Sequence, residues 1–224
     1  MKKTDKPFEI IVLGPPVSGK GTQSELLAKT FDIPHISTGA IFHKIKNDKK
    51  NPLAKQVKKY MNSGGLVPDE LVNKLVEERI NKEDCKLGFV LDGYPRTQPQ
   101  AEAIKGMVEL DYVFLINVSD EVIIERISGR RVCIDGHTWH LRYSPPKEKG
   151  ICDICKGRLF QREDDKPEIV KQRLKIYHIE MDKVISLFKE GDLLIEIDGE
   201  ANIDQVFQQI VRYLVYDMRN QLYG

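Results

Sequence analysis

The residues whose types and spacing point most directly to chemistry lie between Glu9 and Thr22, E-I-I-V-L-G-P-P-V-S-G-K-G-T. Gly14 and Gly19 are spaced as in G-x-x-x-x-G-K, so the backbone of Pro15, Pro16, Val17 and Ser18 can curl until successive N–H groups face an anion. Lys20 adds a mobile positive charge, and a helix starting near it would aim its N-terminus at the same anion. The chemistry is the binding of a di- or triphosphate. Gly21 follows Lys20 where Ser or Thr is usual in this pattern, and the hydroxyl arrives one place later, at Thr22. The standard Mg2+ ligand is thereby left open.

A second group lies between Gly129 and Asp165, where hydrophobic periodicity breaks down. This stretch holds three of the four cysteines, two histidines and the single tryptophan, Trp139. It is too short and too loop-rich for an apolar core of its own, so a cross-link must staple it. Cys133 and the pair Cys152-x-x-Cys155 offer three soft ligands for a structural Zn2+. For the fourth, His137 is favoured over Asp135, because imidazole is the commoner partner of thiolates at zinc and Gly136 lets the turn tighten.

The rest of the chain must position these groups. Ile10 to Leu13 is a short apolar run ending in glycine, the pattern of a buried parallel strand before a tight turn. Helical spacing follows over Gln23 to Phe31, then a short strand from His35, helical stretches over Ala40 to Asp48 and Leu53 to Ser63, and a helix over Glu70 to Ile80 with Asp69 as its cap. Gly88 to Gly93 is a second strand carrying Asp92 at its C-terminal end, where ligands bind in open α/β sheets. Tyr112 to Asn117 and Leu193 to Ile197 read as further strands, Asp120 to Ser128 and Ile203 to about Met218 as helices. The fold class is α/β, a doubly wound parallel sheet with helices on both faces. Lysines 44, 46, 49, 50, 55, 58 and 59 make the second and third helical stretches basic, which reads as a solvated face.

Composition narrows the function. A chain of 224 residues with 41% hydrophobic content can bury a full core, and a net charge of +1 from 35 basic and 34 acidic residues gives no global pull toward nucleic acid or membrane. No apolar run approaches the roughly 20 residues of a transmembrane helix, and Met1 to Pro7 is too polar for a secretory signal. Four cysteines in a chain of this length do not suggest a disulfide scaffold. A cytoplasmic enzyme is expected.

Several motifs in order complete the picture: the loop Gly14 to Thr22, Ser37-Thr38-Gly39, Gly65-Leu66-Val67-Pro68-Asp69, Leu91-Asp92-Gly93-Tyr94-Pro95-Arg96-Thr97 with Gln100-Ala101, Gly129-Arg130-Arg131, and Gln161-Arg162-Glu163-Asp164-Asp165 with Arg173. In order and spacing they resemble the adenylate kinases of the bacterial long-lid type over nearly the whole chain. The resemblance implies a P-loop core of 1–37, 68–128 and 166–224, an AMP-binding insertion of 38–67 and a zinc-stapled lid of 129–165. It implies that Lys20, Arg126, Arg130, Arg162 and Arg173 surround the ATP phosphates, that Arg96 with Arg162 and Arg173 holds the AMP side, and that Asp92 positions Mg2+ through water. Asp164 and Asp165 would sit at the lid hinge or on the nucleophile side. Thr38 and Gln100 resemble the adenine-reading residues, helped by the backbone at Gly39, Leu66, Val67 and Gly93.

This chain departs from that pattern in three places. Val17 stands where the family often has Gly or Ala, which requires a negative φ. His43 replaces the Arg that grips the AMP phosphate, so either a partly protonated His43 or a neighbour such as Lys44 must take its place. The first zinc knuckle lacks one cysteine. The implied reaction is ATP + AMP ⇌ 2 ADP, catalysed by a monomer with Mg2+ on ATP and no nucleic-acid or membrane partner. The rivals are a kinase for UMP or CMP, and a zinc-containing nucleic-acid-binding module on an ATPase core.

Overall fold

The computed structural model describes residues 8–223, with side chains to 215. The described residues divide into two compact units, the first formed by residues 8–39, 68–118 and 177–223, the second by residues 40–67 and 119–176.

The first unit is built on five parallel strands: β1 (Phe8–Leu13), β2 (His35–Ser37), β3 (Gly88–Asp92), β4 (Tyr112–Asn117) and, last of seven among the described residues, β7 (Leu194–Asp198). Their order is β2-β3-β1-β4-β7. Strand β1 pairs in parallel with β3 on one side and β4 on the other, Ile10 lying beside both Val90 and Tyr112. Buried on both faces, these strands read as continuous apolar runs rather than as alternation. One face carries Ile10, Val12, Val90, Phe114, Ile116 and Ile197. Leu27 and Ala28 of helix α1 (Lys20–Phe31) and Val206, Ile210 and Leu214 of α8 (Ile203–Tyr223) pack on them. The opposite-pointing Ile11, Leu13, Phe89, Leu91, Val113 and Leu115 are equally buried.

Helices α4 (Asp69–Ile80) and α5 (Gln98–Met107) also belong to this unit. Asp69 does not cap α4: Pro68 holds that position and Asp69 is the first helical residue. Its carboxylate is used at long range instead, accepting from Thr97 Oγ1 at 3.0 Å and Gln100 Nε2 at 2.7 Å.

The second unit contains most of α2 (Thr38–Asn47), then α3 (Ala54–Asn62), α6 (Asp120–Gly129) and a two-stranded antiparallel ribbon, β5 (Arg130–Val132) with β6 (Thr138–His140). Beyond the ribbon the backbone is held by isolated bridges such as Val132 to Phe160 and Ile151 to Arg158. Apolar burial within 129–165 is slight: Val132, Cys133 and Cys152 are inside, while Ile134, Leu141, Ile154 and Phe160 are exposed. A single 3-10 turn, Glu163–Asp165, precedes the longest helix, α7 (Pro167–Lys189), to which the sequence reading assigns no element. Its signal is present nonetheless, in the helical spacing of the buried Val170, Leu174, Met181, Val184 and Phe188 and in Pro167 at the first position.

Candidate active site

In the first unit the phosphate loop leaves the C-terminal end of β1 and runs into α1. Gly14 is required there: a Cβ would lie 2.8 Å from the carbonyl oxygen of Ile116 and 2.7 Å from Ser18 Oγ. Gly19 turns the chain into the helix with φ of 94°, and no side chain caps α1 and no acidic residue stands in its first turn. The first amides of the helix therefore carry uncompensated positive character toward the loop. Lys20 folds back, its Nζ donating to Pro15 O at 3.0 Å. Val17 overturns the expectation of negative φ. Its φ is 62°, so a β-branched residue occupies the left-handed region that glycine prefers.

Asp92 closes β3 in register with Val12 of β1. A Cβ on Gly21 would lie 3.4 Å from Asp92 Oδ2, which puts this carboxylate beside the first turn of α1. Oδ2 is 3.6 Å from His35 Nε2, while Oδ1 is buried with no hydrogen-bond partner among the described residues. Burial pushes the Asp92 carboxyl up, but the His35 imidazole, the Lys20 ammonium and the Arg96 guanidinium outweigh it and hold the group ionised, below the usual range. His35 is a neighbour the sequence reading does not identify. Only the parallel register of β2 on β3, Ser37 beside Asp92, brings it near.

The turn after β3 is braced from several sides. Thr38 Oγ1 donates to Gly93 O at 2.8 Å, and Arg96 Nε donates to the same carbonyl at 2.7 Å. Gln100 Oε1 accepts the Arg96 N–H at 2.8 Å while its Nε2 goes to Asp69. Tyr94, fully buried, donates through its hydroxyl to Asn73 Oδ1 at 2.8 Å. The Gln100 side chain is thus committed to holding Arg96 and α4.

In the second unit, Arg130, Arg162 and Arg173 converge on two buried carboxylates of the 3-10 turn. Arg130 donates to both oxygens of Asp165, Nε to Oδ2 at 2.8 Å and Nη2 to Oδ1. Arg162 grips Asp164 the same way at 2.8 and 2.6 Å, and Arg173 Nη1 reaches Asp164 O at 3.1 Å and Oδ2 at 3.2 Å. Burial raises the Asp164 carboxyl, yet Arg162 and Arg173 hold it far below the carboxylate range. These two aspartates are arginine anchors.

His43 joins the same cluster. Its Nε2 accepts from Arg162 Nη2 and lies 3.9 Å from Asp164 Oδ2. Burial first, and the Arg162 guanidinium second, push the imidazole down to about 4, so His43 is neutral near pH 7 and not the partly protonated group expected from its sequence context. Lys44 is exposed. Val67 is buried and Leu66 half-buried on the segment entering α4, and Gly39 is half-buried in the first turn of α2. Arg126 sits in another group, its guanidinium 5.9 Å from the Tyr143 ring centroid and its carbonyl bonded to His140 Nε2 at 3.0 Å.

Cys133, His137, Cys152 and Cys155 converge, their ligand atoms all within 4.8 Å of one another. His137 Nδ1 is 3.3 Å from Cys133 Sγ and 3.6 Å from Cys152 Sγ. A tetrahedral Zn2+ with Zn–S of about 2.3 Å and Zn–N of about 2.0 Å needs ligand atoms roughly 3.5 to 3.8 Å apart, so the residues fit the ion. Trp139 Nε1 donates to Cys152 Sγ at 3.4 Å, an outer contact of the kind that orients a thiolate ligand. His140 is excluded as a ligand because its Nδ1 accepts the Arg142 and Tyr143 amides, both at 3.0 Å. Asp135 is exposed.

Comparison with known proteins finds relatives along almost the whole chain. The adenylate kinase family matches residues 12–193. The adenylate kinase of Caldanaerobacter subterraneus is 47% identical over 222 residues, covering 96% of this chain and 100% of that protein. Those of Clostridium novyi and Brevibacillus brevis are 45% and 48% identical, with 94% and 91% of this chain covered and 100% and 97% of theirs. A glycine loop on β1, a buried carboxylate in register beside it and near-half identity along almost the full length make one conclusion of three observations: the chain belongs to the adenylate kinase family.

Proposed function

We propose that the chain transfers the γ-phosphoryl group of ATP to AMP by direct in-line displacement, with no covalent enzyme intermediate, and runs the same step in reverse from two ADP. Family membership makes it a nucleoside monophosphate phosphotransferase with ATP, AMP and ADP as substrates. The loop amides from Gly14 to Thr22 and the Lys20 ammonium would hold the triphosphate. Arg126 and Arg130 would serve the ATP side, Arg96 the AMP side, and Arg162 and Arg173 both. Thr38, Gly39, His43, Leu66, Val67, Gly93 and Gln100 would line the AMP site. Phosphoryl transfer asks little covalent chemistry of a protein, so fixed guanidinium groups that neutralise the equatorial oxygens are most of the catalyst. Clamping Arg130 and Arg162 on buried carboxylates means that little reorganisation is left for the reaction itself.

Mg2+ bound with ATP supplies charge neutralisation of the phosphates, and Asp92, with its unpartnered buried Oδ1, is the carboxylate that would hold its waters. Zn2+ on Cys133, His137, Cys152 and Cys155 would be structural, since four protein ligands leave no open position. Residues 38–67 would act as the AMP-binding insertion and 129–165 as a lid, whose closure keeps water from competing as acceptor. On this reading the enzyme works in the cytoplasm as a monomer. No described helix is long and apolar enough to cross a membrane.

The observation that carries the proposal is the register of Val12 with Asp92, which sets a phosphate loop and an ionised carboxylate side by side at the C-terminal ends of adjacent parallel strands. Phosphoryl transfer from ATP to AMP, CMP, UMP and GMP tests it. AMP should exceed the other acceptors by at least about a hundredfold in kcat/KM. Preference for a pyrimidine nucleotide, or ATP hydrolysis alone, would overturn the reading.

A further inference from the structure

The proposed AMP site is short of one cation. His43, standing where the family's phosphate-gripping Arg is expected, is neutral and is turned toward Arg162 as an acceptor. A neutral imidazole in that role orients a guanidinium and adds no charge of its own. We propose that Lys46, one helical turn beyond His43 on α2, supplies the missing positive charge to the AMP phosphate. The inference rests on the ATP:AMP reading and names a residue of that same site.

Three independent placements support it. Residues three apart on a helix share a face, so the face of α2 that puts His43 against Arg162 also carries Lys46. Phe42 and Ile45, on the adjoining face, are buried and fix the rotation of α2 about its axis. Lys46 is half-buried, unlike Lys44, Lys49 and Lys50 around it, which are exposed.

The second placement comes from α3. Lys46 Nζ donates to Asn62 Oδ1 at 2.8 Å, at the last residue of that helix. Two residues on, Gly64 lies so close to α7 that a Cβ would meet Ile169 Cγ2 at 3.1 Å and Arg173 Cγ at 3.3 Å. The ammonium is therefore anchored to the segment that abuts Arg173. Its partner there is a neutral amide, which an incoming phosphate oxygen can replace without breaking an ion pair.

The third is electrostatic. Burial lowers the Lys46 ammonium first, with Asp164 opposing and Arg162 adding to the shift, so the group feels both members of the buried arginine–aspartate pair. Lys also suits the position through its long flexible stem, which makes it a movable point charge.

The test compares AMP with adenosine, which lacks the phosphate. In the unmodified protein and in Lys46→Met, which keeps the apolar stem, the KM values for AMP and ATP are measured together with equilibrium binding of AMP and of adenosine by calorimetry. Lys46→Met should weaken AMP by about tenfold in both KM and Kd, a difference of about 1.4 kcal/mol, with the ATP KM and the adenosine Kd unmoved. Lys46→Arg should retain AMP affinity, and His43→Arg placed in the Lys46→Met background should restore it. Unchanged AMP binding in Lys46→Met overturns the assignment, as does an equal loss for AMP and adenosine, which marks a packing role. If the unmodified protein transfers to AMP while Lys46→Met is normal, only Lys46 is wrong; if it does not accept AMP, the reaction assigned above fails first.

Discussion

Arg130 holds Asp165 through both prongs of its guanidinium, and the carboxylate it holds has no exposed surface. Such a pair carries two desolvation penalties, and its value shows when one member is removed. Asp165→Ala leaves Arg130 buried without a counter-charge and should cost about 3–5 kcal/mol of stability. Denaturant unfolding measures it; a loss below about 1 kcal/mol would class the pair with exposed ion pairs.

Val17 offers a gain in place of a loss. With φ at 62° on a β-branched residue, the loop holds strain that glycine would release. Val17→Gly should raise stability by about 1 kcal/mol, the relief being partly offset by the greater chain entropy of glycine when unfolded. A lower melting temperature for the variant would show that the valine side chain contributes packing that outweighs the strain.

His43 gives a pH dependence whose sign is fixed. Its folded value of about 4 lies below the ordinary 6.5, so the unfolded chain takes up the proton first. The imidazole therefore costs no stability above about pH 6.5 and an increasing amount as pH falls toward 4. His43→Gln should flatten the stability profile across that window. Because the imidazole is neutral throughout, the KM for AMP should not rise between about pH 7 and 8 as it would if an imidazolium gripped the phosphate. A rise confined to AMP and abolished by His43→Gln would reinstate the charged imidazole.

The cysteine cluster predicts metal retention residue by residue. Purified without chelators, the protein should carry about one Zn2+ per chain, and chelation should melt the 129–165 segment before the sheet. His137→Ala should release the metal far more readily than Asp135→Ala or His140→Ala, since Asp135 is exposed and His140 is already committed to three hydrogen bonds. Full retention in His137→Ala would remove that ligand from the set.

What the sequence reveals tracks how local the determinants are. β1 and the loop at Gly14 are legible because an apolar run and its terminating glycine are contiguous, and β4 because Tyr112 to Ile116 is an unbroken apolar run. The convergence of Cys133 with Cys152 and Cys155 is legible because thiolates in a stretch without apolar core have few other uses. α7 goes unread although its signal is local, with Val170, Leu174, Met181, Val184 and Phe188 recurring at helical spacing after Pro167. The duties of Asp69 and Gln100 are hidden for another reason. Each is defined by a partner on a different element, and only packing brings carboxylate and amide within 2.7 Å.

The indole hydrogen bond from Trp139 to Cys152 has an optical consequence. The chain contains one tryptophan, so all of its indole emission originates 3.4 Å from a sulfur of the group formed by Cys133, His137, Cys152 and Cys155. Loading or stripping that cluster changes the charge on the acceptor sulfur and the polarity felt by the excited ring. The protein therefore carries a built-in fluorophore whose wavelength and intensity report metal loading at these four residues in real time, with no label attached and no indole signal from the sheet to subtract.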